Sequence, residues 1–201
     1  MIVLLVLLVT KEQYNATWMK VFYHYSGSGS RFSGYSEALN CDSTDKFSIL
    51  GRLNQTFQNG GKYEFLIQYP QVSGYNRWRQ SLLPYDDIEK TGNQAQGYEP
   101  VSISWNGQFW GGLVRSTQTS WTIIDGSAGH TNWWYSVGTM DVQIWPNQFP
   151  GPALTDEQWI LVNCVELWIR IDHLLATQRY NAKSIMTFRS ILLSCIVFCL
   201  S

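Results

Sequence analysis

Val165-Glu-Leu-Trp-Ile-Arg-Ile171 decides how this chain folds. Val165, Leu167, Ile169 and Ile171 fall on one side of an extended backbone, with Glu166, Trp168 and Arg170 on the other. That period of two is the mark of a strand with one face in a core. Lys62-Tyr-Glu-Phe-Leu-Ile-Gln-Tyr69 repeats it, with Tyr63, Phe65, Ile67 and Tyr69 facing one way and Pro70 closing the strand. Lys20–Tyr25 alternates as well, Val21, Tyr23 and Tyr25 sharing a face. Val101, Ile103 and Trp105 alternate with serines, and Asn106-Gly107 has the chemistry of a type I′ hairpin turn. Phe109–Val114 returns from that turn, with Gly111-Gly112 marking a bulge or a close backbone approach. Ser120–Ile124, Trp134–Val137 and Val142–Trp145 are further short strands. Alternation, rather than continuous apolar runs, favours antiparallel pairing.

Other segments break the strand pattern. Ser43 or Thr44 can cap a helix starting near Asp45, with Phe47, Leu50, Leu53 and Phe57 on one side and Asn59-Gly60-Gly61 ending it. The polar connection through Asp86, Asp87, Glu89 and Gly97 reads as a long loop, and Pro146–Pro152 as an irregular one. The expected architecture is mainly β: an antiparallel β-sandwich-like single domain with one short N-terminal helix, or alternatively an α+β lectin-like fold. The recognition module spans residues 14–172, between a signal-like apolar segment at 1–13 and a C-terminal extension with an apolar tail at 173–201.

Composition narrows the setting. Charged residues make up 14% of the chain and the net charge is -1, so no electrostatic feature points to nucleic acid. Aromatics reach 15%, beside many Ser, Asn, Gln and Gly, a mixture that suits secreted domains and sugar-binding surfaces. The apolar Ile2–Val9 run has the length of a signal-peptide core but lacks a basic leader and a small-residue cleavage site. Asn15-Ala-Thr17 and Asn54-Gln-Thr56 are acceptor triplets for N-glycosylation, which fit a secreted or cell-surface glycoprotein. Ile191–Leu200 is too short to span a bilayer as a helix; it is either part of an anchor signal or a plain extension. Cys41 and Cys164 could form a disulfide in an oxidising compartment, or stand as two buried thiols. Cys195 and Cys199 lie in the tail.

A longer pattern runs through these pieces. Phe22-Tyr-His24, Ser36–Cys41, Phe47–Leu50, Gly61–Phe65, Tyr75–Trp78, Trp110-Gly-Gly-Leu113, Asp125–Gly129, Asn132-Trp-Trp-Tyr135, Pro150-Gly-Pro152 and Val165–Ile171 occur in that order. The series resembles an uncharacterised module of extracellular proteins of invertebrate animals and some protists, and it covers nearly all of Thr17–Ile171. The resemblance implies that both ends lie outside the module; that family brings no established activity. The asparagine-tryptophan segment is also weakly similar to the C-terminal part of fibrinogen-related domains, whose calcium-loop Asp cluster and paired cysteines are not found here.

The candidate site falls in Trp105–Tyr135, which holds five of the ten tryptophans. Trp105, Trp110, Trp133 and Trp134 can present indole faces to the C–H face of a sugar ring, with Asp125 and Asn132, helped by Asn106 and Gln108, bonding its hydroxyls. Against that stands the average fate of a tryptophan, which is the core. Asp125-Gly-Ser-Ala-Gly129 is not a nucleophile elbow, because Asp125 occupies the position that needs glycine. His24, His130 and His173 are too scattered for a metal site, and the Asp86, Asp87, Glu89 group lacks calcium-loop spacing. Arg77 and Arg79 flank Trp78 and would share a face, either gripping an acidic group or forming a ridge over a buried indole. The expectation is a recognition module without catalysis, cofactor or metal, binding glycan. The alternatives are an adhesive module binding extracellular protein and, behind it, a glycan hydrolase using Asp125 and Glu166.

Overall fold

The computed structural model describes residues 10–87, 94–105, 110–116, 122–126, 135–140, 147–154 and 158–175. Strands β1 (Thr10–Gln13) and β2 (Ala16–Tyr25) are followed by helix α1 (Tyr35–Leu39), β3 (Cys41–Asp42), β4 (Lys46–Ser48), β5 (Tyr63–Gln68), β6 (Asn76–Gln80) and β7 (Glu99–Ile103). Then come β8 (Val114–Arg115), β9 (Thr122–Asp125), β10 (Val137–Thr139), β11 (Phe149–Ala153), β12 (Trp159–Val162) and β13 (Cys164–Arg170). Eight strands form one antiparallel sheet in the order β3-β4-β2-β13-β5-β6-β7, with β1 beside the first half of β2. Sheets β10-β9-β8 and β11-β12 cover its inner face. The result is a mainly β, sandwich-like domain.

The last strand of the chain sits at the centre of the large sheet, between β2 and β5. Its inward row of Val165, Leu167 and Ile169 is fully buried, while Glu166 and Arg170 are only partly covered. Each of those aliphatic side chains contributes about 2 kcal/mol by leaving water. Across the pair, Leu167 faces Phe22 but Trp168 faces Lys20, so β2 carries one extra residue. That bulge turns both Val21 and Phe22 into the core. The expected common face of Val21, Tyr23 and Tyr25 is therefore split: Val21 is inside, and Tyr23 and Tyr25 are on the outer face.

Two expectations are corrected. The segment expected as a helix from Asp45 is β4 followed by short 3-10 turns at Leu50–Arg52 and Gln55–Phe57. Pairing of Phe47 with Tyr23 captures its start, and the buried Leu50, Leu53 and Phe57 keep their inward spacing through the turns. The short helix is α1, just upstream. Pro146–Pro152 is not wholly loop, because β11 runs through both prolines; Ser136 and Tyr135 donate to the carbonyls of Pro150 and Gly151, so the strand works as an acceptor. Of the two readings left open for Cys41 and Cys164, the structure has the free thiols, Cys164 buried and Cys41 half-buried. Two strands stand between β3 and β13, which places the cysteines about 14 Å apart at strand spacing, beyond disulfide reach.

The folded body also starts earlier than residue 14. Thr10–Gln13 form β1, paired from Thr10–Met19 to Gln13–Ala16. At the other end, Leu174 and Leu175 pack on the core from a helical turn at 172–175. The apolar runs at 1–9 and in the tail, Cys195, Cys199, Asn106-Gly107 and Val142–Trp145 lie outside the described residues. Among the described residues, no helix is long and apolar enough to cross a membrane.

Candidate functional site

Trp105 and Trp110 are core residues. Trp105 donates from Nε1 to the Ser73 carbonyl at 3.2 Å and stands 5.4 Å from the Tyr69 ring. Its carbonyl accepts from the Tyr135 hydroxyl at 3.2 Å. Trp110 is edge-on to Trp78 at 4.8 Å and to Tyr135 at 4.5 Å. A Cβ on Gly126 would come within 2.5 Å of the Trp110 ring, so the Asp125-Gly126 step serves close packing against that indole. These two indoles are thereby removed from the expected sugar platform: burial against other rings won over presentation to solvent. Asp125 ends β9, opposite Val114. Its side chain lies outside the described structure, as do Asn132, Trp133, Trp134, Gln108, Glu89 and His130.

The other candidates resolve by their partners. Gly112 has φ +88°, and a Cβ there would come within 3.0 Å of Gln80 Oε1, so the close approach expected at Gly111-Gly112 is present. Asp87 is buried, and its carboxylate accepts from the backbone N–H of Gln96 at 2.6 Å. Among the described residues no group of three or more His, Cys, Asp or Glu could hold a metal ion. Trp78 is buried, and Arg77 and Arg79 face outward, both bonded to Glu64.

The outer face of the large sheet holds a constellation that was not anticipated. Lys11 on β1 donates to Gln68 Oε1 on β5 at 2.8 Å, although β2 and β13 intervene in the sheet. Tyr14, in the β1–β2 turn, lies 4.0 Å from the Tyr75 ring just before β6. Contacts spanning so many strands require the β1–β2 hairpin to lean across the outer face. Beneath it a small second core forms from Ala16, Trp18, Leu66 and Trp168, with Tyr75 packed against it. Arg77 caps Trp18 at 5.3 Å, and Glu64 holds Arg77, Arg79 and Arg170 at 2.6–3.2 Å. Burial pushes the Glu64 carboxyl upward, but the hydrogen bond from Arg77 and the surrounding guanidiniums outweigh this and hold it below its usual range.

Beside the hairpin, polar side chains converge over Trp168, which is itself 3% exposed. Glu166 accepts from Lys20 at 2.6 Å, from Gln68 Nε2 at 2.5 Å and from Trp168 Nε1 at 3.2 Å. Lys11 Nζ stands 4.0 Å above the Trp168 ring and Lys20 Nζ 4.9 Å from it. The cluster is an indole floor with an amide, a carboxylate and two ammonium groups around it, beside the half-buried Tyr23. Burial, the largest influence, pulls Lys11 down to about 8; Glu166 opposes that and Lys20 adds to it. Across the face stand six of the chain's 14 basic residues, Lys11, Lys20, Lys62, Arg77, Arg79 and Arg170. Four carboxylates, Glu64, Glu99, Glu166 and Asp172, oppose them, and Asp42 stands on the same face through its register with Phe47 and Tyr23. Alternation in β13 and β6 put Glu166, Trp168, Arg77 and Arg79 within reach of sequence reasoning. Alternation in β5 likewise put Gln68 on the outer face, but Lys11 had no such signal, because only the leaning hairpin brings it to Gln68.

Fold and site define an antiparallel β-sandwich-like domain with a polar, aromatic-floored cluster on its outer sheet. No family model, curated protein or solved structure matches the chain.

Proposed function

We propose that this protein is a secreted or surface-attached recognition module that binds glycan at the Lys11, Lys20, Gln68, Glu166 and Trp168 cluster. The observation that carries the reading is the meeting of an amide, a carboxylate and two ammonium groups on the outer face, set over the covered indole of Trp168. Sugar sites combine an aromatic surface with a few placed hydrogen-bonding groups. Trp168 is only 3% exposed, covered by Lys11 and Lys20, so the sugar is held by the polar groups around the indole rather than stacked on it. The hydrolase alternative loses support, since both Glu166 oxygens are engaged by Lys20, Gln68 and Trp168, an arrangement suited to holding rather than to proton transfer.

The protein-binding alternative keeps one observation. Leu154 is 48% exposed and Trp159 37% exposed, close together at the end of the β11–β12 pair. A glycan array of neutral and acidic sugars separates the two readings. Binding that falls at least tenfold in Gln68→Ala and Glu166→Gln, and survives Trp159→Ala, supports glycan recognition at the cluster. A blank array, or binding lost only in Trp159→Ala, overturns it.

A further inference from the structure

From the charge of the same cluster we infer that its ligand is an acidic polysaccharide, and that Lys11 is the group that pairs with the sugar's carboxylate or sulfate. This rests on the glycan reading above and goes beyond it in naming the class.

Among the described residues, the cluster's one carboxylate, Glu166, is paired to Lys20, whereas Lys11 makes no ion pair; its ammonium bonds a neutral amide and stands over an indole. A half-buried cation beside an engaged carboxylate is short of negative charge, which is why burial lowers its proton affinity. An anion supplied by a ligand makes good that deficit. Within the cluster two ammonium groups, Lys11 and Lys20, stand against one carboxylate, Glu166. The cluster therefore carries a net positive charge, and its local field favours approach of an anion.

The test uses the full chain against polygalacturonate, dextran sulfate and neutral dextran, with poly-glutamate as a non-sugar anion. The expected result is binding to one or both acidic polysaccharides at least tenfold tighter than to dextran and to poly-glutamate. Lys11→Gln should weaken it at least fivefold with an unchanged melting temperature, and Lys11→Arg should retain it. Calorimetry at pH 8.5 in buffers of different ionisation heat should show proton uptake on binding, absent in Lys11→Gln, because the ligand's anion returns Lys11 to its charged form. Equal affinity for dextran and the acidic polymers overturns the acidic-ligand inference and leaves the glycan reading standing. Affinity for poly-glutamate equal to that for the polysaccharides overturns the sugar part. Acidic-polymer binding unchanged in Lys11→Gln, without proton uptake, removes Lys11 from the site, and no binding to any sugar overturns both readings.

Discussion

His24 sits fully buried on β2, its ring stacked on Phe149 at 5.1 Å and edge-on to Phe32 at 5.0 Å. Nε2 meets the Ser30 carbonyl at 3.0 Å, and Nδ1 has no partner among the described residues. Burial pulls its pKa down to about 4. Above pH 6.5 the ring is neutral in both folded and unfolded chains, so its stability contribution is complete. As the pH falls toward 4 the unfolded chain takes the proton first, and about 3 kcal/mol is lost. Urea unfolding at pH 7 and pH 5 should show most of that loss, and His24→Phe should flatten the slope. Glu37, held at about 2 because hydrogen bonds from Lys46 and Ser33 outweigh burial, loses its contribution at lower pH and does not confuse the window. A slope between pH 7 and 5 that is the same in His24→Phe would assign the acid sensitivity elsewhere. The burial of this histidine was beyond sequence reasoning: alternation around Tyr23 and Tyr25 pointed the wrong residues inward, because a bulge shifts parity without a local signature.

Among the elements, β13 and β7 mark the extremes. β13 lies between two partners, and Leu167 has none of its surface exposed, whereas β7 is an edge strand with Val101 40% exposed. Leu167→Ala should cost about 3 kcal/mol through lost burial and a residual cavity. Val101→Ala should stay within about 0.5 kcal/mol. Comparable midpoint shifts for the two in chemical denaturation would contradict the assigned strand order. β13 and β5 were legible because their apolar residues recur every second position over a full strand length. The helix expected from Asp45 failed because a spacing of three and four residues serves successive 3-10 turns as well, and strand pairing by Phe47 overrode it. β11 escaped notice because proline argues against strands in general, and only its role as a carbonyl acceptor accommodates two of them.

At the scale of the molecule, the sheet order keeps the two cysteines apart. Alkylation of the unfolded, non-reduced protein should label both Cys41 and Cys164, and the double serine variant should melt within a few degrees of the parent. A cross-linked 41–164 peptide in mass spectrometry would contradict the topology. The same order decides what becomes of the tryptophans. Trp105 and Trp110 close the inner core, while Trp18 and Trp168 form a second one under the leaning hairpin. The mainly β class, its antiparallel pairing and the two-faced character of β13 were determined by the sequence itself, since residue alternation is a local property of the extended chain. Only the tertiary structure decided which indoles are sealed, which cysteines are separated, and that Lys11, Gln68 and Glu166 meet over Trp168. Those outcomes depend on contacts between residues dozens of positions apart, joined by strand order and by the hairpin's lean, neither of which is written in any local pattern.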